Sequence, residues 1–248
     1  EISSHLRMRT GRIVGGNENK NMPESPMLVD SGDDLRKAGL VHRVNVPIGE
    51  GSFPTVVMLH GRYGDENAMW LFHNVTPANW LKIAPRGIVA EPPDRYSWVH
   101  REEGYWPQLA QFDTAVAALQ RFILALPHIY GADPQRIYLM GFSQGAAAAY
   151  ATAMRHPKLV QAIAGLVGFV PEGCKEMECL KALNDLPVFV ATGKNDPLIP
   201  LERSRKSAHV LRLGQARFTY KEYETGHKLN REGIKDLKAW WGEQTINS

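Results

Sequence analysis

The chain has 248 residues, which is enough to bury a large core, and α/β folds of this length often form one domain. A composition of 44% hydrophobic and 22% charged residues excludes a disordered chain. The sequence has no uninterrupted run of about 18 apolar residues, so we expect no stable membrane insertion. The net charge of +3 comes from Lys and Arg that are scattered along the chain, so we expect no nucleic-acid partner.

Short β-rich runs alternate with longer helical segments along the chain. After a polar lead, strands are predicted in LVHRVNVPI, PTVVMLH and LKIAPR. A loop rich in Pro, Trp and Tyr follows over residues 91–107, and QLAQFDTAVAALQRFILALPHIYG then has apolar residues at helical spacing. RIYLMGF predicts a return to strand.

The alternation continues to the end of the sequence. A helix is predicted over residues 144–155, followed by the strands LVQAIAGLVG and LPVFVATG, and then by helix LERSRKSAHVLRLG, strand RFTYKEYE and helix REGIKDLKAWWGE. Strands separated by helices imply an α/β fold with a mainly parallel sheet and helices on both faces. We assign residues 35–248 to one catalytic domain and residues 1–34 to an N-terminal extension that can add edge strands.

The segment RIYLMGFSQGAAAAY places Ser143 between two glycines, at the joint between a predicted strand and a predicted helix. This Gly-x-Ser-x-Gly pattern is typical of a nucleophile elbow, a tight turn that holds the serine in a strained conformation. The helix N-terminus aims backbone N–H groups at an oxyanion on the serine, with Gln144 the nearest donor. A Gly-rich turn with a solvent-facing serine is the alternative.

A serine nucleophile requires a histidine base, and the expected chain order is serine, acid, histidine. Of the nine histidines, only His156, His209 and His227 follow Ser143. His156 lies at a predicted helix end and His209 within a helix, whereas His227 follows a strand and a glycine in YETGHKLN. His227 is therefore the predicted base, with a surface-loop histidine as the alternative.

The predicted acid is Asp196, which follows the strand LPVFVATG in ATGKNDPLIP. Asp185 precedes that strand and so lies at the wrong end of the sheet. A carboxylate at position 196 would hold the His227 tautomer and stabilise its imidazolium. The alternative is an aspartate that caps the N-terminus of a helix or forms an Asx turn.

A second source of oxyanion N–H groups is predicted in HGRYGD, directly after the strand PTVVMLH. A His-Gly turn after an early strand supplies such a donor in this architecture, so Arg62 and Tyr63 are the candidates. A tight turn with no catalytic role is the alternative.

Together these segments resemble the phospholipase/carboxylesterase family of α/β hydrolases, which contains small bacterial carboxylesterases and acyl-protein thioesterases. The resemblance runs through LHG-x-x-GD, IAPRG, a Trp/Tyr-rich loop, GFSQG-AAA, TG-x-x-DP-x-x-P and GH. It implies an α/β-hydrolase fold and a triad of Ser143, Asp196 and His227 that hydrolyses acyl esters without a cofactor or metal. The family commonly has one residue between the two glycines of the oxyanion turn, whereas this chain has Arg62 and Tyr63 there.

The substrate is expected to be a short- to medium-chain ester, with thioesters and lysophospholipids as further candidates, because no large lid segment is evident. The candidate acyl-binding residues are aromatic and could equally belong to the core: Tyr96, Trp98, Tyr105, Trp106 and Phe169. The insert VPEGCKEMECLKALNDLP can shape the mouth of the site. Two other functions stay open, a peptidase-like hydrolase and a non-catalytic ligand-binding module on the same fold.

The N-terminal stretch EISSHLRMRTGR lacks the apolar core of a signal peptide, which favours a cytoplasmic protein. We expect a monomer or homodimer. Cys174 and Cys179 either form a disulfide across a short loop or remain as two free thiols, and their spacing does not match a zinc site.

Overall fold

The computed structural model describes residues 26–100, 104–173 and 177–244. The strands in this part of the chain are β1 Met27–Val29, β2 His42–Asn45, β3 Phe53–Leu59, β4 Leu81–Pro85, β5 Val89–Glu91, β6 Arg95–Ser97, β7 Ala132–Phe142, β8 Ala162–Leu166, β9 Pro187–Gly193 and β10 Arg217–Tyr223. The α-helices are α1 Gly32–Ala38, α2 Asp113–Tyr130, α3 Gln144–Arg155, α4 Met177–Lys181, α5 Leu201–Leu213 and α6 Arg231–Gln244. Two 3₁₀ helices span Ala68–Phe72 and Leu109–Phe112.

Eight of these strands form one sheet in the order β1-β2-β4-β3-β7-β8-β9-β10. The pairings β1–β2 and β2–β4 are antiparallel, and every pairing from β4 to β10 is parallel. The predicted α/β fold with a mainly parallel sheet is therefore confirmed. Since β3, β7, β9 and β10 run in the same direction, the loops that follow them meet at one edge of the sheet.

The sheet is buried on both faces, as a parallel sheet requires. Along β3, Val57 and Leu59 pack in one apolar layer with residues of α2 and α3. The alternate residues Val56 and Met58 pack in a second layer with residues of α6. Because side chains alternate between the faces of a strand, this one run of apolar residues supports both layers.

The segment Leu109–Tyr130 is long and apolar enough to cross a membrane, with a mean hydropathy of 1.3, but 50% of its most apolar window is buried inside the protein. Polar residues interrupt the segment, so the sequence alone did not indicate it as a candidate span. Leu119, Phe122 and Ile123 of α2 are buried in the core beside the sheet. Core packing accounts for the apolar composition of this helix.

Several features were either missed by the sequence pattern or left open by it. The loop predicted over residues 91–107 overlaps a small antiparallel hairpin of β5 and β6. The N-terminal extension contributes edge strand β1 and the start of α1, while residues 1–25 lie outside the described part of the chain. Cys179 is disulfide-bonded, and Cys174, the other cysteine of the chain, also lies outside the described residues.

Candidate active site

Ser143 stands alone between strand β7, which ends at Phe142, and helix α3, which begins at Gln144. Its backbone has φ 55° and ψ −117°, a conformation that L-residues rarely adopt. The Ser143 N–H donates to Leu166 O of β8 at 2.9 Å, which ties the turn to the neighbouring strand. A strained serine held in this way is the geometry that the Gly-x-Ser-x-Gly pattern predicts.

The two glycines that flank Ser143 are required by close backbone packing. A Cβ on Gly141 would lie 2.3 Å from Gly145 O, inside the first turn of α3. A Cβ on Gly145 would lie 2.1 Å from Leu59 O at the end of β3. Since backbone atoms cannot move aside as a flexible side chain can, larger residues at these positions would push the helix away from the sheet.

Asp196 and His227 lie on the loops that follow the neighbouring parallel strands β9 and β10. The loops are joined by backbone hydrogen bonds, from Asn195 N–H to Thr225 O at 3.0 Å and from Lys194 N–H to Tyr223 O at 2.9 Å. They approach so closely that a Cβ on Gly193 would lie 2.2 Å from Gly226 O. The sheet register therefore brings together two residues that are 31 positions apart in the sequence.

The Asp196 carboxylate makes two separate sets of hydrogen bonds. Its Oδ2 accepts from His227 Nδ1 at 2.7 Å. Its Oδ1 accepts from the backbone N–H groups of Leu198 at 2.8 Å and Ile199 at 2.9 Å. The Asp196 side chain is 0% exposed and that of His227 is 18% exposed. The aspartate thus closes a turn, as the alternative interpretation held, and also fixes the imidazole ring.

Ser143 and His227 line the same cavity, which has a volume of about 210 Å³. His227 also packs edge-on against Phe142, with ring centroids 5.1 Å apart. Within the described residues, the imidazole makes no side-chain hydrogen bond other than the one from Nδ1 to Asp196. Its Nε2 is therefore available as the proton acceptor that a serine hydroxyl requires.

The turn from Gly61 to Gly64 forms another wall of this cavity. The Gly64 N–H donates to Gly61 O at 3.1 Å, and Tyr63 has φ 61°. Arg62 and Tyr63 are the two central residues of this turn, and their N–H groups make no hydrogen bond with a described residue. Both residues line the cavity, as does Gln144 at the N-terminus of α3, where the first N–H groups lack helical partners. Three candidate oxyanion donors therefore border one space.

Two buried hydrogen bonds hold the side chain of Gln144, so this side chain is not a candidate oxyanion donor. Its Oε1 accepts from Trp98 N–H at 2.8 Å, and its Nε2 donates to Val99 O at 2.9 Å. The Trp98 indole N–H donates in turn to His60 O at 2.8 Å. Any oxyanion contact of Gln144 is therefore made by its backbone N–H.

The predicted acyl-binding aromatics occupy different environments. Phe169 lines the cavity, and Trp106 packs edge-on against it at 4.9 Å between ring centroids. Trp98 is 1% exposed and does not line the cavity. Tyr96 stacks under Arg86, 4.5 Å from ring centroid to guanidinium carbon, also away from the cavity. Tyr105 is 72% exposed.

Other residues that line the cavity were not singled out from the sequence: Gly61, Pro107, Phe142, Leu198 and Ile199. Leu198 and Ile199 follow closely after Asp196, so an apolar pair after the predicted acid was the available signal. The described residues include no group of three or more His, Cys, Asp or Glu side chains that could hold a metal ion.

His60 packs against the turn from Gly61 to Gly64, although it is not in the predicted triad. It is 0% exposed, its Nδ1 donates to Gly61 O at 2.7 Å, and its Nε2 accepts from Gly87 N–H at 2.8 Å. A Cβ on Gly64 would lie 2.7 Å from His60 Nδ1. Burial lowers the pKa of His60, so the ring is neutral at neutral pH and both its hydrogen bonds are kept.

Comparison with known proteins identifies the family of this chain. Residues 46–241 match the phospholipase/carboxylesterase family. The chain belongs to this family. The crystal structure of a Bacillus cereus carboxylesterase superposes with a TM-score of 0.74 at 21% identity, over 84% of this chain and 96% of that chain.

Two curated relatives illustrate the range of the family. Acyl-protein thioesterase 1 of Yarrowia lipolytica is 27% identical over 224 residues, which cover 81% of this chain and 96% of the relative. A probable inactive carboxylesterase of Oryza sativa subsp. japonica is 29% identical over 113 residues, which cover 44% of this chain and 46% of the relative. For several relatives, as for the rice protein, the match spans about half of the relative's length. The chain is thus a carboxylesterase-like hydrolase in family and fold.

Proposed function

We propose that this protein is a serine carboxylesterase that hydrolyses short- to medium-chain esters through an acyl-enzyme on Ser143. One observation carries the proposal. A serine with φ 55° lines the same cavity as a histidine whose Nδ1 is held at 2.7 Å by a buried aspartate. A structural turn would need neither the strained serine nor the oriented imidazole, whereas nucleophilic catalysis needs both.

In the acylation step, His227 Nε2 takes the proton of the Ser143 hydroxyl as the oxygen attacks the ester carbonyl. The carbonyl oxygen becomes an oxyanion, which accepts hydrogen bonds from the N–H groups of Gln144 and of the turn that contains Arg62 and Tyr63. Asp196 stabilises the imidazolium that forms. His227 then protonates the leaving alcohol, and the acyl group stays on Ser143.

Deacylation repeats these events with water as the nucleophile. His227 takes a proton from the water, the tetrahedral intermediate again places its oxyanion against the same N–H groups, and the proton returns to the serine oxygen as the carboxylic acid leaves. Both steps use only side chains and N–H groups that border the cavity, and Asp196, which lies behind His227.

The size and walls of the cavity support a small acyl group. Its volume of about 210 Å³ is below the roughly 300 to 1,000 Å³ of pockets that hold drug-sized ligands. Phe142, Phe169 and Ile199 give it apolar walls. A short or medium acyl chain would fit there, while the alcohol part would extend toward the exposed side chains of Tyr63 and Leu198, which are 49% and 54% exposed.

The test compares p-nitrophenyl butyrate with the matched p-nitroanilide of butyric acid, using wild type and Ser143→Ala. We expect hydrolysis of the ester by wild type, a fall of at least about 10³-fold in kcat for Ser143→Ala, and little or no cleavage of the anilide. Equal rates on ester and anilide would instead support a peptidase-like hydrolase. A folded wild type that cleaves neither compound would support a non-catalytic binding module.

A further inference from the structure

A second cavity, larger than the one at Ser143, lies away from the candidate active site. It has a volume of about 860 Å³ and shares no lining residue with the cavity at Ser143. It is bordered by the ends of β2 and α6, by the start of β4, and by the segment after the 3₁₀ helix Ala68–Phe72. Because β4 begins here, this is the amino end of the parallel sheet, whereas Ser143 lies at the carboxyl end.

Lys82 is the unusual residue in this cavity. It is the second residue of β4 and is 7% exposed, yet it lines the cavity. Trp80 and Ala84, on the same face of the chain, belong to the apolar layer that includes α6. The sequence therefore places a lysine where the neighbouring positions are occupied by core residues.

No described group compensates the charge of this lysine. Lys82 has no ion pair and no side-chain hydrogen bond within the described residues. Burial alone lowers its pKa, with no carboxylate acting in the other direction. Most of the side chain is withdrawn from solvent, and the residue faces the cavity with no described counter-charge. A charge in this setting favours an anion bound beside it.

The other residues around the cavity define the ligand that would fit. Lys238 of α6 is a second cation, and none of the lining residues in the described ranges is acidic. The remaining walls combine an apolar surface that includes Trp70, Val75 and Pro77 with four polar residues, Asn45, His73, Asn74 and Thr76. A volume of about 860 Å³ is within the usual range for small-molecule sites. Cations beside apolar walls suit an anion that carries an apolar body.

We propose that this cavity binds a small organic carboxylate, with the carboxylate paired to Lys82 and the apolar body against Trp70, Val75 and Pro77. The site is separate from the proposed esterase site and does not depend on that function. Lys238, which is exposed on α6, adds attraction at the entrance without being buried.

The experiment is isothermal titration of the full chain with 2-naphthoate, which supplies one carboxylate and an aromatic body. The neutral analogue 2-naphthamide and inorganic phosphate test the two parts of the ligand separately. We expect saturable binding of naphthoate and at least about tenfold weaker binding of the other two compounds. The loss follows from removing either a charge-assisted contact or the buried apolar area.

Lys82→Met is the decisive variant, because methionine keeps much of the length of the side chain and removes the charge. Naphthoate binding should weaken roughly 10- to 100-fold. Lys235→Met is the matched control, since Lys235 is exposed on α6 and does not line the cavity. Thermal unfolding of each variant checks folding, and Lys82→Gln is the second variant if Lys82→Met does not fold.

Three results would overturn the proposal. Wild type that does not bind naphthoate would show that the cavity is not a carboxylate site. Unchanged affinity in a folded Lys82→Met or Lys82→Gln would place any binding elsewhere, including the cavity at Ser143. Phosphate or naphthamide binding as tightly as naphthoate would contradict the ligand chemistry derived from the cavity walls.

Discussion

Replacing Asp196 by asparagine separates the two roles that the structure gives to this residue. The amide oxygen of the new side chain can still accept from Leu198 N–H and Ile199 N–H, at the 2.8 and 2.9 Å that separate these groups from the wild-type carboxylate, so the turn is kept. The other side-chain atom becomes an NH₂ group that faces His227 Nδ1, which lies 2.7 Å from the carboxylate in the wild type. Because an NH₂ group donates, it holds the imidazole in the tautomer that carries its proton on Nε2.

That tautomer cannot take a proton from Ser143. We therefore expect kcat on p-nitrophenyl butyrate to fall about 10⁴-fold in Asp196→Asn, which corresponds to about 5 kcal/mol of transition-state stabilisation. The free energy of unfolding should change by less than about 1 kcal/mol, since the turn keeps both hydrogen bonds. Steady-state kinetics and urea unfolding measure the two quantities on the same preparation.

Asp196→Ala and Asp113→Asn complete the comparison. Alanine removes both acceptors from the turn, so Asp196→Ala should lose about 1 to 3 kcal/mol of unfolding free energy in addition to its activity. Asp113 pairs with Arg155 on the surface at 2.9 Å, and its asparagine variant should keep full activity. A folded Asp196→Asn that retains more than about a tenth of wild-type kcat would refute the orienting role of this carboxylate.

Three further predictions concern the supports of the site. Gly145→Ala places a Cβ 2.1 Å from Leu59 O and should lower the Tm by at least about 10 °C. The control is Gly242→Ala, whose Cβ would meet no atom of the described residues within 4 Å and which should change the Tm by much less; differential scanning calorimetry compares the two variants. Burial lowers the pKa of His60, so the unfolded chain binds more protons as the pH falls through about 6.5. The free energy of unfolding should therefore be highest above that pH and decrease as the pH falls below it. In urea titrations, His60→Gln should reduce the dependence of the unfolding free energy on pH by up to about 1.4 kcal/mol per pH unit. An unchanged pH dependence would contradict a neutral buried ring. Phe169→Leu enlarges the space at the apolar wall of the cavity and should raise kcat/KM for p-nitrophenyl octanoate relative to butyrate, and an unchanged ratio would remove Phe169 from the acyl site.

The parts of the fold that the sequence predicted are those in which local pattern and burial agree. Strand β3 and helix α3 were placed from continuous apolar residues and from an alanine-rich run after a glycine. The hairpin of β5 and β6 was missed because each strand has three residues, too short for a periodic pattern. Helix α1 was missed because seven residues with one buried position give no amphipathic signal.

The sequence indicated the candidate catalytic residues better than it indicated the residues that form the cavity walls, and the reason is physical. Ser143, Asp196 and His227 each follow a strand closely, so the direction of the strands alone places them at one edge of the sheet. The aromatic residues lie in a long loop, where packing decides which ring is buried. Trp98 turned inward because its indole N–H reaches His60 O, and Phe169 lies at the cavity because it follows β8. Residue type alone could not separate these two outcomes.

Lys82 shows a different limit of sequence reading. In the sequence, a lysine within a short strand is typical of an exposed position on an edge strand. In the structure, all five residues of this strand are buried. The structure instead places β4 between β2 and β3, inside the sheet, so the lysine became notable only once the strand order was known.

The central claim is that Ser143 is an activated nucleophile, and intact-mass analysis after exposure to a fluorophosphonate probe tests it most directly. Wild type should gain the mass of one adduct, and Ser143→Ala should gain none, because only a serine with an assembled base and oxyanion site reacts with this probe. A well-folded wild type that forms no adduct, or a Ser143→Ala variant that is still labelled, would contradict the account.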